Sequence, residues 1–410
     1  MRNALRLSAA VAAVCVLTAL LQAQQSHKAT NHEKVLYAFR GETDGYLPNG
    51  TLVRDSEGNL YGTTQRGGNN NCAEGGCGVV FKLSATGEFR VLHTFERNDG
   101  DQPVNALVQD TSGNLYGMTT YGGAYDCFDI GCGVIFKVTP SGDFTVLYNF
   151  TGGSDGNTPM AALIIDPEGN LYGTTHDEVD GGQVFEFTTN GELKVLYNFT
   201  QNWMRPDTLV RDSKGNLYGT TLQGGIYGGG IVFKLALDSQ VTVLHNFRGE
   251  GDGAEPSVLT IDAAGNLYGG TGYGGYEKGV CLNEFFDGCG TVFRVTADGT
   301  FSVLSVFNSR DGNGASGLVN GADGNLYGTT YAGGSCYYSY GCGVVFKLAA
   351  GKHKDSVLYN FNGKSEGFYP TGLIEDSNHN LYGATLYGGD LSCAQGNSGG
   401  CGVIFEIAAK

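Results

Sequence analysis

The sequence is poor in proline, tryptophan and basic side chains, and it carries no helical pattern. Eight of 410 residues are proline and one, Trp203, is tryptophan. So few prolines exclude a collagen-like or proline-rich chain, although glycine reaches 68 residues. With 41% hydrophobic residues, 23 tyrosines and 22 phenylalanines, the chain is too apolar to stay disordered. Outside the first 23 residues no window repeats apolar residues at helical spacing over ten positions, which excludes a helix-rich fold. Lysine and arginine number 25 against 41 acidic residues, a net charge of −16. That surface repels phosphate backbones, so nucleic acid is excluded as a partner, and it disfavours anionic lipid. Serine-hydrolase elbows, zinc-protease helices and phosphate-binding loops are all missing as motifs.

One apolar run is present, from Leu7 to Leu21, behind the basic Arg2 and Arg6. It falls short of the roughly 20 residues a span needs. It reads as a signal peptide over residues 1–23, with Ala23 last before cleavage. Residues 24–33 then form a linker and 34–410 a single domain. Cys15 is followed by further apolar residues, against a lipidated cysteine. No other stretch could span a membrane, and the C-terminal VIFEIAAK carries no anchor. The expected location is secreted or periplasmic.

Ten cysteines remain after Cys15, in five close pairs: Cys72/Cys77, Cys127/Cys132, Cys281/Cys289, Cys336/Cys342 and Cys393/Cys401. An even number in local pairs behind a signal segment predicts disulfides. Thiolate metal sites need about four ligands at closer spacing. Each bridge closes a short ring, contributing about 2 kcal/mol, and is expected mainly to stiffen its loop.

The pentapeptide GNLYG begins at Gly58, Gly113, Gly169, Gly215, Gly265 and Gly324, and HNLYG at His379. Around the first copy, GTLVRD, NLYGTT, GVVFKL and FRVLHTF are short β-rich runs separated by glycine-bearing turns. Four antiparallel strands in every 46 (Gly169 to Gly215) to 59 (Gly265 to Gly324) residues make a propeller blade. The fourth-strand signature VLxxF starts at Val35, before the first blade, and the chain stops after a seventh third strand. The predicted fold is therefore all-β: a seven-bladed β-propeller whose N-terminal strand completes the last blade and removes the exposed edges. Asp55 and its counterparts Asp110, Asp166, Asp212, Asp262 and Asp376 read as turn formers; Gly321 breaks the series. The repeated tyrosines are expected to pack between blades, and the following glycines to leave room for the next blade or for those rings.

The unit VLYxFxxxxDGxxPxxxLxxDxxGNLYGTTxxGG…GCGVVFKL resembles the GloVer tandem repeat of secreted bacterial proteins, over about residues 34–407. The resemblance implies export and a propeller-like fold, and no agreed activity. Members carry variable C-terminal anchors, which this sequence does not show. The DxxGN turn is also similar to that of lactonase-like and streptogramin-lyase-like propellers, a likeness confined to one turn.

In such a propeller the cysteine loops and the DG loops between blades share a face, the expected location of a site. Asp44, Asp99, Asp101, Asp155, Asp252 and Asp311, with Glu366, lie in or beside the DG loops. Acting together they could bind calcium, although no loop has the full calcium-loop spacing; no other cofactor is evident. Blades 3 and 4 lack the cysteines. There HDEVDGGQ gathers His176, Asp177, Glu178 and Asp180, and QNWMRPD gathers Trp203, Arg205 and Asp207. Trp203 could stack on a sugar, Arg205 could pair a carboxylate, and His176 with Glu178 could act as acid and base. Tyr337, Tyr338, Phe285 and Phe286 are further candidate contacts. The expected function is a binding or interaction module, monomeric, for carbohydrate or another extracellular ligand. The alternatives are an extracellular lyase or hydrolase near blades 3 and 4, and a structural protein-binding surface protein.

Overall fold

The computed structural model describes residues 33–409 apart from 70–71, 73–74, 178–180, 200–203, 276–280, 282–287, 337, 339, 354 and 394–398. The signal segment, most of the linker, Glu178, Asp180, Trp203, Phe285, Phe286 and Tyr337 thus lie outside the described residues. Seven antiparallel sheets follow one another along the chain. Blade 1 runs Tyr46–Arg54, Leu60–Arg66, Val79–Leu83 and Phe89–Thr94. Blades 2 to 6 repeat this order. In blade 7 the first strand is split into Phe368–Pro370 and Ile374–Glu375. Its second and third strands are Leu381–Tyr387 and Val403–Ile407, and Glu33–Ala38 pairs with the third, Glu33 opposite Ile407 and Ala38 opposite Val403. The ring is closed as the repeat count requires, and the described residues contain no helix.

Two rings of phenylalanine hold the blades to one another. The last residue of each VLxxF segment meets, edge to face, the phenylalanine of the next blade's third strand. Phe39 lies 5.3 Å from Phe81 and Phe95 5.1 Å from Phe136; Phe361 of blade 6 lies 5.0 Å from Phe405 of blade 7. All seven junctions carry such a pair. Each is worth about 0.5–1.5 kcal/mol beyond the area it buries. This corrects the reading of the repeated glycines: the room they leave is for the third-strand phenylalanine. A Cβ on Gly62 would stand 2.7 Å from the Phe81 ring. The tyrosines do pack between blades, Tyr61 against Leu92, Leu107 and Phe136.

The DxxGN turns are structural. Asp55 Oδ1 accepts from the amides of Glu57 and Asn59, and Oδ2 from Asn59 Nδ2 at 2.7 Å and the Tyr61 hydroxyl at 3.0 Å. Asn59 Oδ1 in turn accepts from the Ala85 amide, joining the two tight turns of the blade. In blade 6, where Gly321 stands in the aspartate's place, Asp323 takes the bonds from Asn325 and Tyr327 instead.

All five disulfides form: Cys72–Cys77, Cys127–Cys132, Cys281–Cys289, Cys336–Cys342 and Cys393–Cys401, with Cα separations of 5.0–5.9 Å. They belong to an oxidising compartment, extracellular or periplasmic. The bridges also reach into the core. The second cysteine of each pair, Cys77, Cys132, Cys289, Cys342 and Cys401, is fully buried and belongs to a hydrophobic core cluster. Those five sulfurs are therefore core atoms and offer nothing to a ligand. The physical reason is position: each directly precedes the glycine that opens the third strand, whose apolar residues are buried in every blade.

The same cysteines anchor the next blade. An X-Pro pair lies at or just before the start of six first strands, with Gly314-Ala315 in its place in blade 6. The residue before that proline is left-handed at Leu47 (φ 57°), Gln102 (55°), Thr158 (42°), Glu255 (53°) and Tyr369 (59°), with Gly314 at 69°. Such a backbone costs about 1–3 kcal/mol at a non-glycine residue. It turns each amide onto the previous blade's long loop. Leu47 donates to Cys401 O, Gln102 to Cys77 O, Thr158 to Cys132 O, Gly314 to Cys289 O and Tyr369 to Cys342 O, at 2.9–3.3 Å. Glu255 follows a blade without cysteines and donates to Gly229 O. Arg205 holds this position in blade 4, also after a blade without cysteines, and is not left-handed. No helix of the described residues is long and apolar enough to cross a membrane.

Candidate ligand site at the channel mouth

The cysteine loops and the inter-blade loops share one face, as Gly68 N donating to Glu42 O and Gly123 N to Arg97 O show. The DG carboxylates do not gather there. Apart from Asp101 they are folded onto their own loops, and all of these but Asp311 also onto the fourth strand that precedes them. Asp44 accepts from the Tyr37 hydroxyl (2.7 Å) and from the amides of Arg40 and Gly41. Asp155 does the same with Tyr148 and Thr151, and Asp311 with Asn308. Asp99 and Asp252 accept instead from His93 and His245, whose rings stack on Phe144 and Phe301 at 3.5 Å. Asp101 lies within 4.8 Å of the sulfurs of Cys72 and Cys77, but those are bonded to each other and are not thiolates.

His176 is the last residue but one of the second strand of blade 3, Leu171–Asp177, and is buried. Its amide donates to Asn157 O, and its carbonyl accepts from the Thr158 hydroxyl. The backbone of Asp177 pairs with Gly181. The other members of that cluster, and Trp203, are the undescribed residues named above. A cavity of about 230 Å³ lies beside this hairpin, between Ser154, Thr175 and Gln183.

The structure brings Asp207 elsewhere, to the central channel, with the charge of Arg205 acting on it from outside the cavity lining. Asp207 follows the X-Pro proline of blade 4. Its counterparts in blades 1 to 3 are Asn49, Val104 and Met160, and in blades 5 to 7 Ser257, Ser316 and Thr371. Five of these seven, from blades 1, 4, 5, 6 and 7, line one open cavity of about 570 Å³. Residues so far apart around the ring meet only on its axis. Asp207 is the one charge among the seven. The same cavity is lined by a wall of Tyr273, Tyr331, Tyr340 and Tyr369. Tyr331 and Tyr369 stack at 4.3 Å with planes 21° apart, and Phe368 buttresses Tyr369 from behind at 4.9 Å. Tyr338 stacks on Phe368 in turn. Tyr331 is 44% and Tyr340 74% exposed, so both side chains are open to a ligand.

Burial raises the Asp207 carboxyl to about 7, against the opposing charge of Arg205. Burial also raises Glu255, the left-handed residue of blade 5, with a Gln223 hydrogen bond and Arg205 opposing. Tyr331 is pushed up to about 12 by burial and by its tyrosine neighbours, so it remains a neutral phenol. The sequence reading included Asp207 and Arg205 and missed Glu255 and the four tyrosines. Their signal was positional: residues flanking the X-Pro proline, and those just beyond GTT at the end of the second strand.

A second opening, about 460 Å³, lies on the opposite face among tight-turn backbone and the side chains of Arg294, Asn320 and His353. Its aromatic residue, Tyr268, is spent on the Asp262 turn bond.

A model of the Gloeobacter/Verrucomicrobia repeat matches residues 24–181, 177–283 and 282–410. The chain belongs to this repeat family. No curated protein matches its sequence. Among solved structures it is similar to virginiamycin B lyase from Staphylococcus aureus, at 14% identity and TM-score 0.61, over 93% of this chain and 99% of that one. A streptogramin B lyase gives 13% identity and TM-score 0.62 over 92% and 98%. The extracellular domain of a protein described as a one component system of B. thetaiotaomicron gives 10% and 0.54, over 90% of this chain and 40% of that one. At these identities the likeness is one of fold.

Proposed function

We propose that this repeat protein is an extracellular binding module that takes a carbohydrate at the cysteine-loop mouth of its channel. The observation that carries the reading is the Tyr331–Tyr369 stack lining one cavity with the ring of Asn49, Ser257, Ser316 and Thr371. A sugar ring offers an apolar face to the aromatic platform and hydroxyls to those amide and hydroxyl groups. Pockets that bind small molecules combine such an apolar wall with a few placed polar groups. The platform is held by packing on Phe368 and by the Tyr369–Cys342 backbone bond, so little ordering is left to binding.

The test is a thermal-shift screen of the protein with a panel of oligosaccharides, on wild type and Tyr369→Ala. A ligand at 100 times its dissociation constant adds about 2.7 kcal/mol to stability. A shift from one sugar class that is lost in Tyr369→Ala supports the reading; no shift from any sugar removes it.

One observation favours an enzyme as the second reading. Asp207 is a carboxyl raised to about 7 inside a cleft, which is how acid–base residues are tuned, and Glu255, which shares the influence of Arg205, is raised as well. Among the similar folds are lyases, one solved in a catalytically inactive form with quinupristin. Product release from a bound oligosaccharide, lost in Asp207→Asn with binding retained, would establish this reading over the first.

A further inference from the structure

Resting on the carbohydrate reading, we propose that the channel mouth selects a sugar bearing a protonated amine, with Asp207 taking the ammonium group and the tyrosine wall covering it. The argument begins from charge. The seven residues after the X-Pro positions comprise two apolar, four neutral polar and one acidic side chain, Asp207. The ring of residues before the prolines adds one cation and one anion, Arg205 and Glu255. With both carboxyls ionised these three groups sum to −1 beside a cavity whose other lining is uncharged.

Arg205 does not cancel that charge. It acts on Asp207 through space and donates no hydrogen bond to it, while also acting on Glu255. Its Nε is buried without a hydrogen-bond partner among the described residues. One guanidinium is thus divided between two carboxylates, and Glu255 has the side-chain amide of Gln223 in addition. The Asp207 carboxylate receives no hydrogen bond among the described residues and lines the cavity. A ligand cation would supply what it lacks.

The wall suits the same charge. The face of an aromatic ring is negative, and an ammonium within about 6 Å of it is attracted. Tyr273, Tyr331, Tyr340 and Tyr369 bring four such rings to the cavity that Asp207 lines. An anionic sugar would meet both Asp207 and the ring faces unfavourably. A neutral sugar would stack but leave Asp207 unpaired.

The test compares two ligands of one backbone, glucosamine oligomers and N-acetylglucosamine oligomers, by calorimetry on EDTA-treated protein at pH 7, where about half of the Asp207 carboxyl is ionised before ligand arrives. The proposal expects the amine form to bind about tenfold tighter, the size of one charge-assisted hydrogen bond. Asp207→Asn should bring the ratio close to one. Asp126→Asn removes the same charge from an exposed loop on the same face and should keep the ratio. Tyr331→Ala should weaken both oligomers together. Equal affinity of the two oligomers overturns the amine proposal and leaves the carbohydrate reading standing. Binding of neither overturns the amine proposal, and the carbohydrate reading falls with it only if no sugar of the thermal-shift panel binds. Amine binding that returns only on adding calcium also overturns the proposal, because Asp207 would then serve a metal.

Discussion

At the scale of single residues, most of what the repeat keeps is packing. The clearest case is the glycine after each repeated tyrosine. A Cβ at Gly62 would meet the Phe81 ring at 2.7 Å and Leu52 at 2.9 Å, and neither neighbour has room to retreat at a sealed blade junction. Gly62→Ala should cost about 1–3 kcal/mol, as overpacking does. Urea denaturation would show it as a lower midpoint with unchanged slope, whereas an unchanged midpoint would contradict the packing account. The turn aspartates were legible in the sequence because an Asx turn is local chemistry: Asp55 bonds to residues within six positions of itself. The cysteine pairing was legible for the same reason, whereas the burial of Cys289 and Cys401 depends on the neighbouring blade. The channel tyrosines were not legible. Tyr331 and Tyr369 are 38 positions apart and come from different blades, and nothing local says that they stack. Asp207 was legible as a polar residue in an irregular segment, but its placement on the axis required the whole ring.

At the scale of elements, the closing strand is the most instructive. The copy number of VLxxF disclosed it, and the strand pairs as expected with Val403–Ile407. What the pattern hid is its first residue. At the same position in blades 1, 2 and 5 stand Phe89, Phe144 and Phe301, each stacked on a ring of the preceding blade. Glu33 replaces them at the closure and shares the Tyr359 hydroxyl with Glu366. Burial, then the Glu366 charge, raises Glu33 to about 8, while the Tyr359 bond opposes. Its own strand offers Lys34, which pairs with Glu406 at 4.0 Å and is mostly exposed. A carboxyl raised in the folded state binds a proton that the unfolded chain releases near its ordinary value of about 4.5. Its stabilisation is therefore complete below about pH 4.5 and is lost as pH rises through about 8. Melting temperatures of wild type and Glu33→Gln should agree near pH 4.5 and separate by about pH 9, with the variant higher. Parallel curves would show that Glu33 does not titrate at the closure.

At the scale of the whole molecule, sevenfold repetition builds a rigid ring, and its departures from symmetry build the site. The cysteine loops hold the next blade's first strand through the left-handed residue before its proline. Arg205 alone among the seven positions before the prolines is not left-handed, and Asp207 beside it is the one charged residue at the ring of post-proline positions. The tyrosine wall stands across the axis on blades 5 to 7. The account's central claim is that ligand enters here and not at the opposite face. Hydrogen–deuterium exchange with and without saturating oligosaccharide tests it most directly. The account predicts added protection in residues 271–273, 329–332 and 367–371. Protection confined to the tight turns around Arg294 and His353, or no protection anywhere, would contradict it.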